Sequence, residues 1–324
     1  MSRGISDRTL VDMPLAVVDT ETTGLYPGGD RIIEIAVVRV VRGQAPTVVL
    51  DTLVNPDRPV AATEIHGITD ADVADAPSFR DIAPLVVTGL RDAVFASYNV
   101  YFDAKFVREE LSRVGVRQFP PHLCLMYLRP MLALGRKCSL RDACEQSGVT
   151  HSKAHHAAAD ALAAAGLWGR YLDACERAGV QTFRQLAALR SYKFTGSFDD
   201  AMLDETVAFG NVALSRQKSR SSVVAIPAAQ PTVASKTQDR LSAYWDALMA
   251  ALSDLDITPF EVFYLRAKQD ALGLTPHELR WLHARAFSGV LSDMCQDRAI
   301  DDAEAAALAG VADALRQLGW APGD

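Results

Sequence analysis

An apolar run, Pro14-Leu-Ala-Val-Val18, leads straight into Asp19-Thr20-Glu21-Thr22-Thr23-Gly24. A short β-branched run bounded by turn residues predicts a buried strand. Residues 25–30 are turn-forming, and the mainly apolar stretch 31–41 predicts a second strand, with one acid, Glu34, near its start. Residues 47–54 predict a third, and three strands joined by short turns make an antiparallel meander. Helical turns follow at 61–67 and 68–74, a helix at 79–89 and a strand at 94–97. An amphipathic helix from about 103 to 114 places Phe106, Val107, Glu110 and Leu111 at helical spacing. The rest of this half reads as helical and closes with 154–178. Strands first and β-α alternation afterwards predict an α/β fold, a mixed sheet covered by helices.

Beyond Gly179 the pattern thins. Residues 181–190 suit a helix, and 191–198 alternate aromatic and polar positions. Lys193 with Tyr192, Phe194 and Phe198 suits stacking on single-stranded nucleic acid, and suits better an extension docked on the sheet domain. The basic, serine-rich stretch 215–222 and the Ala/Pro/Thr-rich stretch 225–235 read as a flexible linker. From Asp239 the chain reads as helical. Asp254-Leu-Asp-Ile-Thr-Pro-Phe-Glu261 recurs loosely as Asp297-Arg-Ala-Ile-Asp-Asp-Ala-Glu304. Each copy puts a capping residue, Thr258 or Asp301, three positions before a glutamate, which is the capping-box pattern. The expected organisation is a sheet domain at 1–178, an extension and linker at 179–238, and an acidic helical domain at 239–324. The tail fits a protein-interaction module built from repeated helix pairs.

The 324 residues are 49% hydrophobic and 23% charged, enough for two domains with buried cores. No run of eighteen apolar residues suggests a membrane span, and the polar N-terminus does not read as a signal peptide. Cys124, Cys138, Cys144, Cys175 and Cys295 are an odd set without a CxxC, as expected of reduced thiols in a cytoplasmic protein. Charge is uneven: from Asp239 to Asp324 there are 14 acidic and 7 basic residues, which leaves the rest of the chain balanced. Such a tail is unsuited to gripping a phosphate backbone.

Candidate chemistry begins with Asp19 and Glu21, which alternation along a strand points the same way. Two carboxylates side by side repel and are costly to bury unpaired. Their natural partner is a hard divalent cation, Mg²⁺ or Mn²⁺. Asp103 stands where a strand gives way to a helix. His155 and Asp160 are five apart, about 140° around a helix, so they converge only if His155 lies in the preceding loop or first turn. There an imidazole can take a proton from water. A soft-metal cluster of His122, His151, His155 and His156 is the weaker reading, because the acids already offer hard oxygen ligands.

Asp19-Thr-Glu-Thr-Thr-Gly24, Asn99-x-x-Phe-Asp103 and His155-x-Ala-x-x-Asp-Ala161, in that order, resemble the three motifs of the DnaQ-like, DEDDh 3′–5′ exonuclease family, of DNA polymerase III epsilon-subunit type. Arg31-Ile-Ile-Glu-Ile35, His66-Gly-Ile-Thr69 and Ser139-Leu140 add landmarks, and the resemblance covers about residues 13–175. It implies a ribonuclease H-like mixed sheet flanked by helices, with the C-terminal all-α domain beyond it. It implies two cations, Mg²⁺ or Mn²⁺, held by Asp19, Glu21, Asp103 and Asp160, with His155 as the base. Thr22, Thr23, Gly24, His66 and Asn99 would contact the 3′-terminal nucleotide. The implied partners are single-stranded 3′ ends, with a protein partner for the helical domain and no membrane. Alternatives are an oligoribonuclease-like RNA trimming enzyme, or an interaction protein whose tail carries the role. The helical repeat also resembles, more distantly, TerB-like domains.

Overall fold

Five strands form one sheet in the order β3-β2-β1-β4-β5, with β1 (Leu15–Thr22) at its centre. β2 (Ile32–Val40) and β3 (Thr47–Leu53) complete an antiparallel meander on one side. β4 (Val94–Ser97) and β5 (His122–Cys124) run parallel to β1 on the other. The sheet is therefore mixed. Leu15, Ala16, Val17 and Val18 are all buried, as befits a central strand covered on both faces. The chain leaves β1 to one side and later crosses to the other. In open α/β sheets such a reversal marks the end of the strands where ligands bind. Asp19 and Glu21 lie at that end.

The structure, a computed structural model, describes residues 4–151, 156–203, 233–295 and 300–323. The described residues fall into two units. The first takes those within Met1–Thr22, Arg31–Val60 and Ile68–Val223, and the second those within Thr23–Asp30, Ala61–Gly67 and Val224–Asp324.

In the first unit α3 (Phe79–Leu90), α4 (Val100–Arg113), α5 (Leu125–Met131), α6 (Leu140–Ser147) and α7 (Ala157–Arg177) accompany the sheet, after the single turn α2 (Asp70–Val73). Three expectations need correction. β5 falls in a stretch whose pattern reads as helical; it has only three residues, too few to show alternation. α4 starts at Val100, so Asp103 is inside its first turn. The last correction concerns the other unit, where the helical part of the tail begins at Val233.

Packing accounts for the long α7. It buries Ala157, Ala161, Ala163, Ala164 and Ala165, and small side chains let a helix lie close to a sheet. On α4, Glu110 is 2% exposed and takes a two-pronged ion pair from Arg31, at 2.7 and 3.0 Å. The same guanidinium donates to the Pro56 carbonyl at 3.2 Å, so one residue ties the start of β2 to a helix and a loop. The aromatic stretch after α8 (Phe183–Leu189) is docked: Phe194 and Phe198 are buried, and the Ile5 amide donates to the Phe198 carbonyl at 2.6 Å. Those rings are core and not a stacking platform.

The second unit consists of α9 (Val233–Ala251), α10 (Pro259–Leu272), α11 (Pro276–Met294), α12 (Asp302–Gln317) and the single-turn α1 (Thr63–His66). Tyr244, Leu248, Leu265, Leu282, Ala286, Val311 and Leu315 form its core. Capping boxes start α10 at Thr258/Glu261 and α12 at Asp301/Glu304, as the repeat suggested, and α11 carries another at Thr275/Glu278. Asp297 and the linker stretch 215–222 lie outside the described residues. Among those described, no helix is long and apolar enough to cross a membrane.

Candidate active site

The pairing of β1 with β2 sets the site. Asp19 faces Ala36 and Glu21 faces Glu34, with an irregularity in the ladder between Glu21 and Thr22. A bulge there turns the backbone as it leaves the strand. Asp160, in the first turn of α7, joins the two strand acids. Asp19, Glu21 and Asp160 each offer an oxygen, and these lie within 4.8 Å of one another. A trio of carboxylates with hard oxygen donors fits a divalent cation such as Mg²⁺ or Mn²⁺.

Burial and mutual repulsion raise the pKa of Asp19 well above the ordinary carboxylate value. Burial is the largest cause, followed by the charges of Asp160, Asp103, Glu21 and Glu34. A cation would relieve that repulsion.

Asp103 stands apart from the trio, and both of its oxygens are engaged. The Thr20 hydroxyl donates to Oδ1 at 2.8 Å and the Ser97 hydroxyl donates to Oδ2. Burial pushes its pKa up to about 6, and the two hydroxyls pull the other way. Ser97 ends β4 and Thr20 lies between the two strand acids, so the sheet itself supplies the donors that hold Asp103. No sequence pattern singled out either residue as functional.

Two further contacts were missed. The His151 imidazole meets Asp160 Oδ1 through Nε2 at 2.5 Å; nothing in its spacing marked it apart from its neighbours. Glu34, 1% exposed, accepts the Ala157 amide at 3.3 Å and lies 4.0 Å from His156 Nδ1. The first amides of a helix have no intrahelical acceptor, so Glu34 ties down the end of α7 that carries Asp160. Its signal was an acid inside an otherwise apolar strand. His122, with its pKa lowered to about 4 by burial and then by Arg108, shares neither contact. His155 lies outside the described residues.

The expected nucleotide contacts divide between the units. Thr22 ends β1, and Asn99 caps α4 with its Oδ1 buried and without a hydrogen-bond partner. Thr23, Gly24 and His66 belong to the second unit. The Thr23 hydroxyl donates to Asp30 at 3.1 Å, and a Cβ on Gly24 would collide with that same carboxylate. His66 is buried, with Nε2 2.9 Å from the Ala61 carbonyl.

The RNase T family model, described as exonuclease, matches residues 16–168. The matched stretch runs from β1 into α7. A DNA polymerase III subunit epsilon-like protein of Rhodobacter capsulatus is 36% identical over 186 residues, covering 55% of this chain and 26% of that protein. A PolC-type DNA polymerase III of Thermotoga maritima is 30% identical over 190 residues, covering 57% of this chain and 14% of its own. The chain thus spans only a minor part of either relative. Among solved structures, Exonuclease X in complex with 5′ overhanging duplex DNA is 28% identical, with 54% of this chain and 98% of that chain covered and a TM-score of 0.41. The matched stretch holds all the acids described above, and the helices from α9 onward lie beyond it.

Proposed function

We propose that the protein is a metal-dependent 3′–5′ exonuclease that removes nucleoside 5′-monophosphates from single-stranded DNA ends. The observation that carries this reading is the convergence of Asp19, Glu21 and Asp160 within 4.8 Å, inside the segment matched to the exonuclease family. DNA is preferred over RNA because the relatives' names refer to DNA polymerase III. Asp19, Glu21 and Asp160 would hold the divalent cations, Mg²⁺ or Mn²⁺, with Asp103 completing the set. When bound, such ions activate water and neutralise charge developing on the phosphate.

The chain's own residues supply the rest. His155 takes a proton from the attacking water. The oxygen of that water bonds to phosphorus, the bond to the 3′ oxygen breaks, and that oxygen takes a proton from solvent to leave the shortened strand with a 3′-hydroxyl. Thr22, Thr23, Gly24, His66 and Asn99 receive the terminal nucleotide, and Glu34 and His151 hold the end of α7 and Asp160.

The test is strand shortening on matched DNA and RNA oligonucleotides labelled at the 5′ end, with Mg²⁺, Mn²⁺ or EDTA. The expected result is cation-dependent release from DNA, reduced at least roughly a hundredfold in Asp19→Asn and in His155→Ala. Faster digestion of RNA would move the reading to RNA trimming. No release from either would leave the interaction-protein reading standing.

A further inference from the structure

Two segments of the exonuclease portion of the sequence, Thr23–Asp30 and Ala61–Gly67, fold with the C-terminal helices. They carry Thr23, Gly24 and His66. We propose that the C-terminal helices position the two loops that carry these three expected nucleotide contacts, acting on them through Arg285, Gly289, Ser242 and Gln238. The proposal rests on the exonuclease reading above and deepens it.

The first loop is held from α11. Arg285 donates through Nη2 to the Thr23 carbonyl at 3.1 Å; burial lowers its pKa, and the charges of Asp30 and Glu64 offset this only in part. Arg285 Nε is buried without a hydrogen-bond partner. One turn further on, Leu25 lies against Gly289 so closely that a Cβ there would sit 2.5 Å from Leu25 Cβ. Within the loop, Asp30 accepts from the Thr23 hydroxyl and from the Tyr26 amide. The backbone that follows the two strand acids is thus fixed at its start by a cation and along its length by a helix surface.

The second loop is held from α9. The Ser242 hydroxyl, fully buried, donates to the Ile65 carbonyl at 2.7 Å. The Gln238 amide nitrogen lies 2.5 Å from where a Cβ on Gly67 would be, and Gly67 has φ of 69°. A side chain there is excluded both by conformation and by space. Ala62 has φ of 66°, a region that non-glycine residues rarely enter. Such a conformation persists only where surrounding structure imposes it, and Ala62 and Ile65 are buried in the core of the helical unit. His66 follows directly from this imposed turn.

None of these four holding residues is in the segment matched to the exonuclease family, which ends at 168. The dependence is therefore a property of this chain and its tail. It predicts that changes more than two hundred residues from Thr23 alter how the enzyme takes hold of a strand end, while leaving the acids alone.

The experiment uses the full chain and two variants. Arg285→Gln removes the charged tie, and Gly289→Ala pushes Leu25 while raising the helix propensity of α11, so it does not act by weakening that helix. KM and kcat are measured for nucleotide release from a single-stranded DNA oligonucleotide, alongside the Mn²⁺ activation midpoint, the melting temperature and hydrogen exchange in 23–30 and 61–67. We expect KM to rise about tenfold in Arg285→Gln, with kcat falling less and the Mn²⁺ midpoint unchanged. Exchange in 23–30 should quicken in both variants at an unchanged melting temperature. KM within twofold of an active parent in both variants overturns the proposal, as does unchanged exchange in the loops. A parent chain that releases no nucleotide overturns the exonuclease reading instead, and the exchange data still decide whether the helices hold the loops.

Discussion

Glu110 has a partner for each of its oxygens, and its value lies in what would be left behind without it. Glu110→Gln would strand the Arg31 guanidinium beside a buried neutral amide, at a cost of about 2 kcal/mol, discounted for the part of Arg31 that remains in water. Glu109→Gln, next in sequence and paired with Arg113 on a half-exposed face at 3.3 Å, should cost less than about 0.5 kcal/mol. Urea unfolding of the two variants beside the parent checks the contrast. At this scale the acids were legible because each stands where a strand ends or a helix begins. Their hydroxyl and imidazole partners were not. Ser97, Thr20 and His151 reach Asp103 or Asp160 only once β4, α4 and α7 have been brought together, and nothing in their local sequence encodes that meeting.

Elements were legible in proportion to their length. β1 to β4 announced themselves as short apolar or β-branched runs between turn residues and α3 as a longer stretch, whereas β5 offered only His122, Leu123 and Cys124 after two prolines. Of the tail helices, α10 and α12 were readable from their caps. Inside them, a polar chain runs from the Gln269 amide to the Tyr244 hydroxyl at 2.8 Å and on to His283 Nε2 at 2.8 Å. His283 is fully buried, and burial lowers its pKa from 6.5 to about 4. The unfolded chain therefore takes up this proton first as pH falls. The stability His283 contributes is present above about pH 6.5 and is lost on the way down to pH 4, up to roughly 3 kcal/mol. His283→Gln cannot be protonated, so between pH 6.5 and 4 the parent should lose ground to the variant by about that amount. Denaturant titrations at both pH values measure the difference, and a constant gap would contradict it.

Across the whole molecule, the metal-free protein carries a site that repels itself. Asp19 and Asp103 have pKa values raised above the ordinary carboxylate range, Asp103 to about 6. A raised carboxyl pKa takes stability away as pH climbs through it, because the folded state is then left holding a charge that it disfavours. Mn²⁺ in excess over EDTA should consequently raise the melting temperature by several degrees at pH 7.5, and by less at pH 5, where protons already relieve the repulsion. An equal shift at both pH values, or none, would argue against cation binding by these acids. The division into a sheet portion and a helical portion was visible in the sequence from the change of pattern after residue 179. That the helical portion would also take in residues 23–30 and 61–67 was not, since the contacts concerned join positions 177 and 262 apart.

That separation also has a consequence in time. A ribosome adding roughly 5–20 residues per second makes Thr23 on the order of ten to fifty seconds before Arg285, 262 positions later. During that interval the sheet and its acids can assemble on the nascent chain, while the two loops have nothing to hold them. By the inference drawn above, an unfinished chain has its cutting groups in place before it has a finished grip on a strand end. Synthesis would thus arm the enzyme last where it holds its substrate, and a chain stalled before α11 would emerge with poor affinity for DNA.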